Sequence, residues 1–234
     1  MKYSELYEEQ SPDLFNDIER NSLEFIESGN ILYRGSKQSR GDRTTIQKVH
    51  ANRKPTDTNI LLHDLFDVAF YEKFNIKARS QSVFTTPDIV FALRYGNASA
   101  IIPKGKAVYI FSDKVKDLFH LCSQSLVYLF DEGEIEKISG FTFNDMNEQY
   151  NTNIFKMEDS LNRLAKELNS KYPTLSELPS DVFKLLKSLV FHIVDKMDYV
   201  MTTNPNDITT EGVEVMLHCK EYYEIGRKSP ESYK

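Results

Sequence analysis

The sequence predicts an α+β fold, and three observations carry that prediction. Apolar residues recur at helical spacing over residues 14–26, 61–74 and 182–193. Short β-rich runs, residues 107–111 and 213–219 among them, stand apart from those stripes. Hydrophobic residues make up 40% and aromatic residues 12% of the 234, enough for a sizeable core and too many for a disordered chain. No repeat, low-complexity tract or linker interrupts them, so one domain over 1–234 is expected.

Taken in order, Ser11-Pro12-Asp13 opens a helix whose stripe is Leu14, Phe15, Ile18, Phe25 and Ile26, and Gly29-Asn30 ends it. Residues 31–34 read as a short strand. Residues 36–56 are polar, with a turn signal at Gly41-Asp42, and suit a long functional loop. Asp57-Thr58 is placed to cap the next helix, where Leu61, Leu62, Leu65, Phe66, Ala69, Phe70 and Phe74 form a wide buried face. Residues 79–85 alternate as a strand. Thr86-Pro87-Asp88 then starts a helix, with Thr as cap, Pro at the first position and Asp at the positive dipole end. Tyr95-Gly96 stops it.

Residues 100–103 and 107–111 read as two strands, split by a turn at Lys104-Gly105-Lys106. The polar stretch 131–157 yields no clear element. Helices are predicted over 158–169 and 180–195, then a loop over 202–212, strands over 213–219 and 222–225, and a frayed tail over 226–234.

The formal charge of −6 argues against a protein held on nucleic acid by bulk electrostatics. The start, Met1-Lys2-Tyr3-Ser4-Glu5, has no apolar signal core, and no run approaches the ~20 apolar residues that span a bilayer. A cytoplasmic protein, of the source cell or of a cell it enters, is expected, with no membrane partner. Cys122 and Cys219 are expected to be buried reduced thiols. The five histidines show no metal spacing, so no metal is assigned, and no phosphate-binding glycine loop or nucleophile elbow is present.

What remains is three separated pieces of polar chemistry. Arg34 closes the strand Ile31-Leu32-Tyr33-Arg34 beside Gly35; a guanidinium there can grip phosphate oxygens in bidentate fashion. Ser82, Thr85 and Thr86 place hydroxyls at a strand end around Phe84. Glu214 stands at the mouth of the apolar run Val215-Met216-Leu217, following Glu211 and Gly212. A second acidic group, Glu132-Gly133-Glu134-Ile135-Glu136, precedes no apolar strand and reads as a solvated turn. Residues 34–54 hold Arg34, Lys37, Arg40, Arg43, Lys48, Arg53 and Lys54 against Asp42 alone, a local reversal of sign that suits a pyrophosphate or a polyanionic target. Phe84 and Tyr95 are candidates to stack on an aromatic ligand.

The order Arg34, then Ser82, Thr85 and Thr86, then Glu214 resembles the triad of the arginine–serine–glutamate class of mono-ADP-ribosyltransferases, a family with many toxin and phage members. The resemblance covers residues 31–225. It implies a split β-sandwich, two small bent antiparallel sheets with flanking helices and NAD in the cleft, and a helical insertion over 155–197. It implies a glycosyltransferase reaction on NAD as substrate, with a host protein or nucleic acid as ADP-ribose acceptor, by a phage or bacterial effector. Glu214 would stabilise the ribose cation, Arg34 and Arg53 would hold the dinucleotide, and Gly35 would leave backbone open to nicotinamide. Ser82 and Thr85 would support the catalytic glutamate, with Thr86, Phe84 and Tyr95 lining the cofactor. Arginine-modifying members carry Glu or Gln two residues before that glutamate; here Gly212 stands there and Glu211 one step further back. Either Glu211 activates the acceptor from a shifted loop, or the acceptor is not arginine, or water is the acceptor and the chain is an NAD glycohydrolase. A catalytically degenerate member that inhibits a host factor by binding is the remaining alternative.

Overall fold

Along the chain, helix α1 (Pro12–Glu27) leads to strands β1 (Leu32–Ser36) and β2 (Thr44–Lys48), then α2 (Ile60–Phe74), β3 (Val83–Thr85) and α3 (Ile89–Leu93). The long strand β4 (Asn97–Phe111) follows. Five helices come next: α4 (Leu118–Cys122), α5 (Glu132–Ser139), α6 (Phe143–Gln149), α7 (Leu161–Asn169) and α8 (Ser180–Lys196). Strands β5 (Val200–Thr202) and β6 (Val215–Gly226) close the order. The computed structural model describes residues 12–37, 43–55, 58–208 and 212–226. The expectations at Ser11, Gly41-Asp42, Asp57 and the tail beyond 226 lie outside those residues. The α+β class holds.

Two compact units divide the chain. The first comprises the described residues of Met1–Ala51, Gln81–Lys116 and Val200–Lys234. Its six strands form one antiparallel sheet, ordered β1-β4-β6-β2, with β3 added to β6 and β5 to β4. β4 and β6 pair from Ser99↔Gly226 to Phe111↔Val215, with a register shift between Lys104 and Ala107. The turn predicted at 104–106 is therefore a bulge inside one strand, and the break predicted near 220 does not exist. A bulge takes up one extra residue and keeps the ladder going, which local composition does not distinguish from a turn. The loop predicted over 36–56 contains β2, an edge strand whose polar, half-exposed residues hide its pairing to β6.

α1 buries Ile18 and Phe25 against this sheet, and Phe25 stacks on Tyr109 with ring centroids 6.2 Å apart. At the α1 kink, Ser22 donates its hydroxyl to the Pro103 carbonyl at 2.7 Å. Asp17 accepts from Lys104 at 2.9 Å and from the Tyr223 hydroxyl at 2.7 Å, pinning the helix to β4 and β6.

The second unit comprises the described residues of Asn52–Ser80 and Asp117–Tyr199. It packs α2 against α7 and α8, with α5 on α8. Asn59 caps α2, accepting from the N–H groups of Leu61 and Leu62, the role expected of Asp57-Thr58. The stretch without a predicted element holds α5 and α6, each begun by a capping box: Asp131 with Glu134, and Thr142 with Asp145. Glu134 also meets Lys196 at 3.3 Å and His192 at 2.6 Å, so the acidic segment is a helix rather than a solvated turn.

Residues 79–82 are not the start of a strand. Asp67 on α2 gathers them into a turn by accepting from the N–H groups of Arg79 at 2.8 Å and Ser80 at 3.1 Å, and from the Ser80 hydroxyl. Ser80 Oγ lies 3.0 Å from His63 Nε2. With the Ser80 proton committed to Asp67, Nε2 is the donor and Nδ1 the bare nitrogen. Burial pushes the His63 imidazole down to about 4, against the pull of Asp67.

Candidate functional site

The end of β3, the start of β6 and the interior of β1 meet within the first unit. β1 runs on to Ser36, so Arg34 lies within the strand rather than closing it, because Gly35 and Ser36 continue the pairing to β4. β3 lies on β6 with Thr85 opposite Val215, the residue after Glu214. One residue on, Thr86 forms a bridge with Tyr33 of β1, its N–H donating to the Tyr33 carbonyl at 2.9 Å and its carbonyl accepting at 2.7 Å. Arg34 is next along β1, opposite Ser99 of β4. Backbone pairing thus links Arg34, Thr85-Thr86 and Glu214, three pieces separated by up to 180 positions in sequence. Arg34 and Glu214 are both half-buried.

The Arg34 guanidinium donates to the Tyr222 hydroxyl at 3.1 Å, so its charge lies over β6 on a hydroxyl support. Tyr222 stands eight residues beyond Glu214 on β6 and was not singled out by the sequence. A buried tyrosine hydroxyl seeks a partner, which was the one available signal. Glu224, two residues further on, is also buried.

Several expected roles change. Gly35 has a packing reason to be glycine: a Cβ there would stand 2.0 Å from the Ala92 carbonyl oxygen, because α3 lies against it. Thr86 does not cap α3; Asp88 does, accepting from Val90 at 2.8 Å and Phe91 at 3.3 Å, while the Thr86 hydroxyl accepts from the Asp88 N–H. With its backbone spent on Tyr33, buried Thr86 holds the site together rather than lining it. The Thr85 hydroxyl donates to the Val215 carbonyl at 3.0 Å, securing the strand that begins beside Glu214. Ser82 is 1% exposed, and its hydroxyl has no hydrogen-bond partner among the described residues.

Phe84 is half-buried on β3, and Tyr95 is 49% exposed with its ring edge-on to Phe91 at 5.8 Å. Arg53 belongs to the second unit, where its backbone N–H donates to the Ser80 carbonyl at 3.1 Å. Glu211 lies outside the described residues, as does Arg40 of the basic run. Lys37, Arg43 and Lys48 are exposed. Gly212 holds a φ of +80°, a conformation that glycine adopts without a steric penalty.

Among the described residues, no three His, Cys, Asp or Glu side chains gather as a metal site, and no helix is long and apolar enough to cross a membrane. Comparison with protein-family models, with curated proteins and with solved structures finds no match to the chain.

Proposed function

We propose that the first unit binds NAD, breaks its nicotinamide–ribose bond, and transfers ADP-ribose to a macromolecule of a host cell. The reading rests on one observation above all: β1, β3 and the start of β6 are knit together at Tyr33, Thr86 and Val215, with Arg34 and Glu214 one residue away on either side. Cleavage passes through a sugar carrying positive charge, so a positioned carboxylate is the group the chemistry most needs. Glu214 would supply it. Arg34, held by Tyr222, would bind the pyrophosphate, and Thr85 would keep the Glu214 strand in place. The six strands are one bonded sheet in which β4 and β6 are shared, and this sheet would take the place of the split sandwich of the transferases that the sequence resembles.

A second reading, NAD glycohydrolysis, is favoured by Gly212, which offers an acceptor no side chain. One experiment separates the readings. The full chain is incubated with labelled NAD and a cell lysate beside a Glu214→Ala control. Label on a macromolecule, lost in the variant, establishes transfer, and protease or nuclease sensitivity gives the acceptor class. Free nicotinamide without label transfer means hydrolysis. Neither signal, with no NAD binding, sinks both.

A further inference from the structure

We infer that Asp88 is the base that takes the acceptor's proton at this site, an inference resting on the NAD-cleaving reading above. The register of β3 on β6 sets Val83 opposite Leu217 and Thr85 opposite Val215. Carried past the last paired residues, it sets Thr86 opposite Glu214 and Asp88 opposite Gly212. The side chains bear this out: a Cβ at Gly212 would stand 3.7 Å from Asp88 Oδ2. Asp88 thus lies beside Gly212, two residues before Glu214, at the end of β3 where it meets the start of β6.

The two oxygens of Asp88 are divided in use. Oδ1 carries both cap bonds of α3, and Oδ2 makes no hydrogen bond among the described residues. Gly212 matters as much as the carboxylate. Any side chain there would enter the space in front of Oδ2, and the positive φ at that position already disfavours one.

The step balances without a further reactant. The C–N bond between ribose and nicotinamide breaks, its electron pair leaving on neutral nicotinamide while Glu214 faces the ribosyl cation. An acceptor bearing an O–H or N–H gives its electron pair to the same carbon, and its proton passes to Asp88 Oδ2. The acceptor class is thus a protic group, and the missing side chain at Gly212 is answered from β3's side of the site.

Asp88→Asn tests this, because asparagine caps a helix as well as aspartate does but is not a base. Nicotinamide release is measured in the labelled-NAD and lysate mixture, with and without sodium azide, whose anion needs no base to attack. The expected result is a loss of about 10²–10⁴-fold in the variant, with azide restoring release and forming an azide adduct of ADP-ribose. Azide should not rescue Glu214→Gln, which lacks the group facing the cation. A variant as active as the parent overturns the role of Asp88 while leaving NAD cleavage standing, and so does a loss that azide does not answer. A parent that releases no nicotinamide removes the NAD reading itself, and this inference with it.

Discussion

At the scale of single residues, close approach matters more than side-chain chemistry at some positions of the site. Gly35 sits under the backbone of α3, and even a methyl group there meets a carbonyl oxygen that cannot swing away. Gly35→Ala should cost roughly 3 kcal/mol, the upper end of overpacking effects, read as a lower denaturant midpoint at unchanged slope. His63 makes a second prediction. Its folded value of about 4 lies below its ordinary 6.5, because burial disfavours the charged ring and its Nδ1 has no partner among the described residues. The unfolded chain therefore binds more protons in that interval. Stability should be full above pH 6.5 and fall by on the order of 3 kcal/mol as pH drops toward 4. His63→Gln should flatten that part of the pH–stability curve; an unchanged curve would remove His63 as its cause. Arg34 and Glu214 stand out in the sequence as candidates because each borders an apolar run. Thr86 has another role than the expected cap, and Tyr222 gave no signal of its own, since each is decided by a partner on a different strand.

At the scale of elements, the apolar stripe located α1, but its fastening to the sheet depends on Asp17. Hydrogen bonds from Tyr223, then Lys104 and Arg20, hold its carboxyl well below its ordinary 3.8. A depressed carboxylate contributes stability above its ordinary value and loses it as pH falls below. The Asp17 contribution should thus fade as pH falls below 4, and Asp17→Asn should lower stability at neutral pH and remove part of the dependence in that acid range, followed by circular dichroism across pH 2–7. The same scale explains the errors in strand length. Periodicity reports which side of a strand faces the core, not whether a polar interval is a turn, a bulge or an exposed stretch of ladder. Local composition accordingly splits β4 and β6 into two pieces each and makes β2 look like loop. The capping boxes of α5 and α6 were present in the sequence, at Asp131-x-x-Glu134 and Thr142-x-x-Asp145, beneath a polar composition that masked the weak apolar stripes.

At the scale of the whole molecule, the chain leaves the sheet-bearing unit after Ala51, returns at Gln81, leaves again after Lys116 and returns at Val200. Helices expected as an insertion over 155–197 fall in a unit that also includes α2, more than eighty residues earlier. Both cysteines are buried and outside any disulfide, and burial pushes the Cys219 thiol up to about 12. A maleimide should thus label neither thiol in the native protein at pH 7 and both after denaturation; prompt native labelling would contradict the described packing. Composition and helical period determined by themselves that this is an α+β protein and where its longer helices run, and charge beside an apolar run singled out Arg34 and Glu214 as candidates. Those properties are local, so a window of a dozen residues carries them. Only the tertiary structure decided that β4 and β6 run unbroken, that Thr86 bridges to Tyr33, and that Asp88 stands over Gly212. Each of those facts is a pairing between residues distant in sequence, and a single chain read in order contains no term for the energy of a contact it has not yet made.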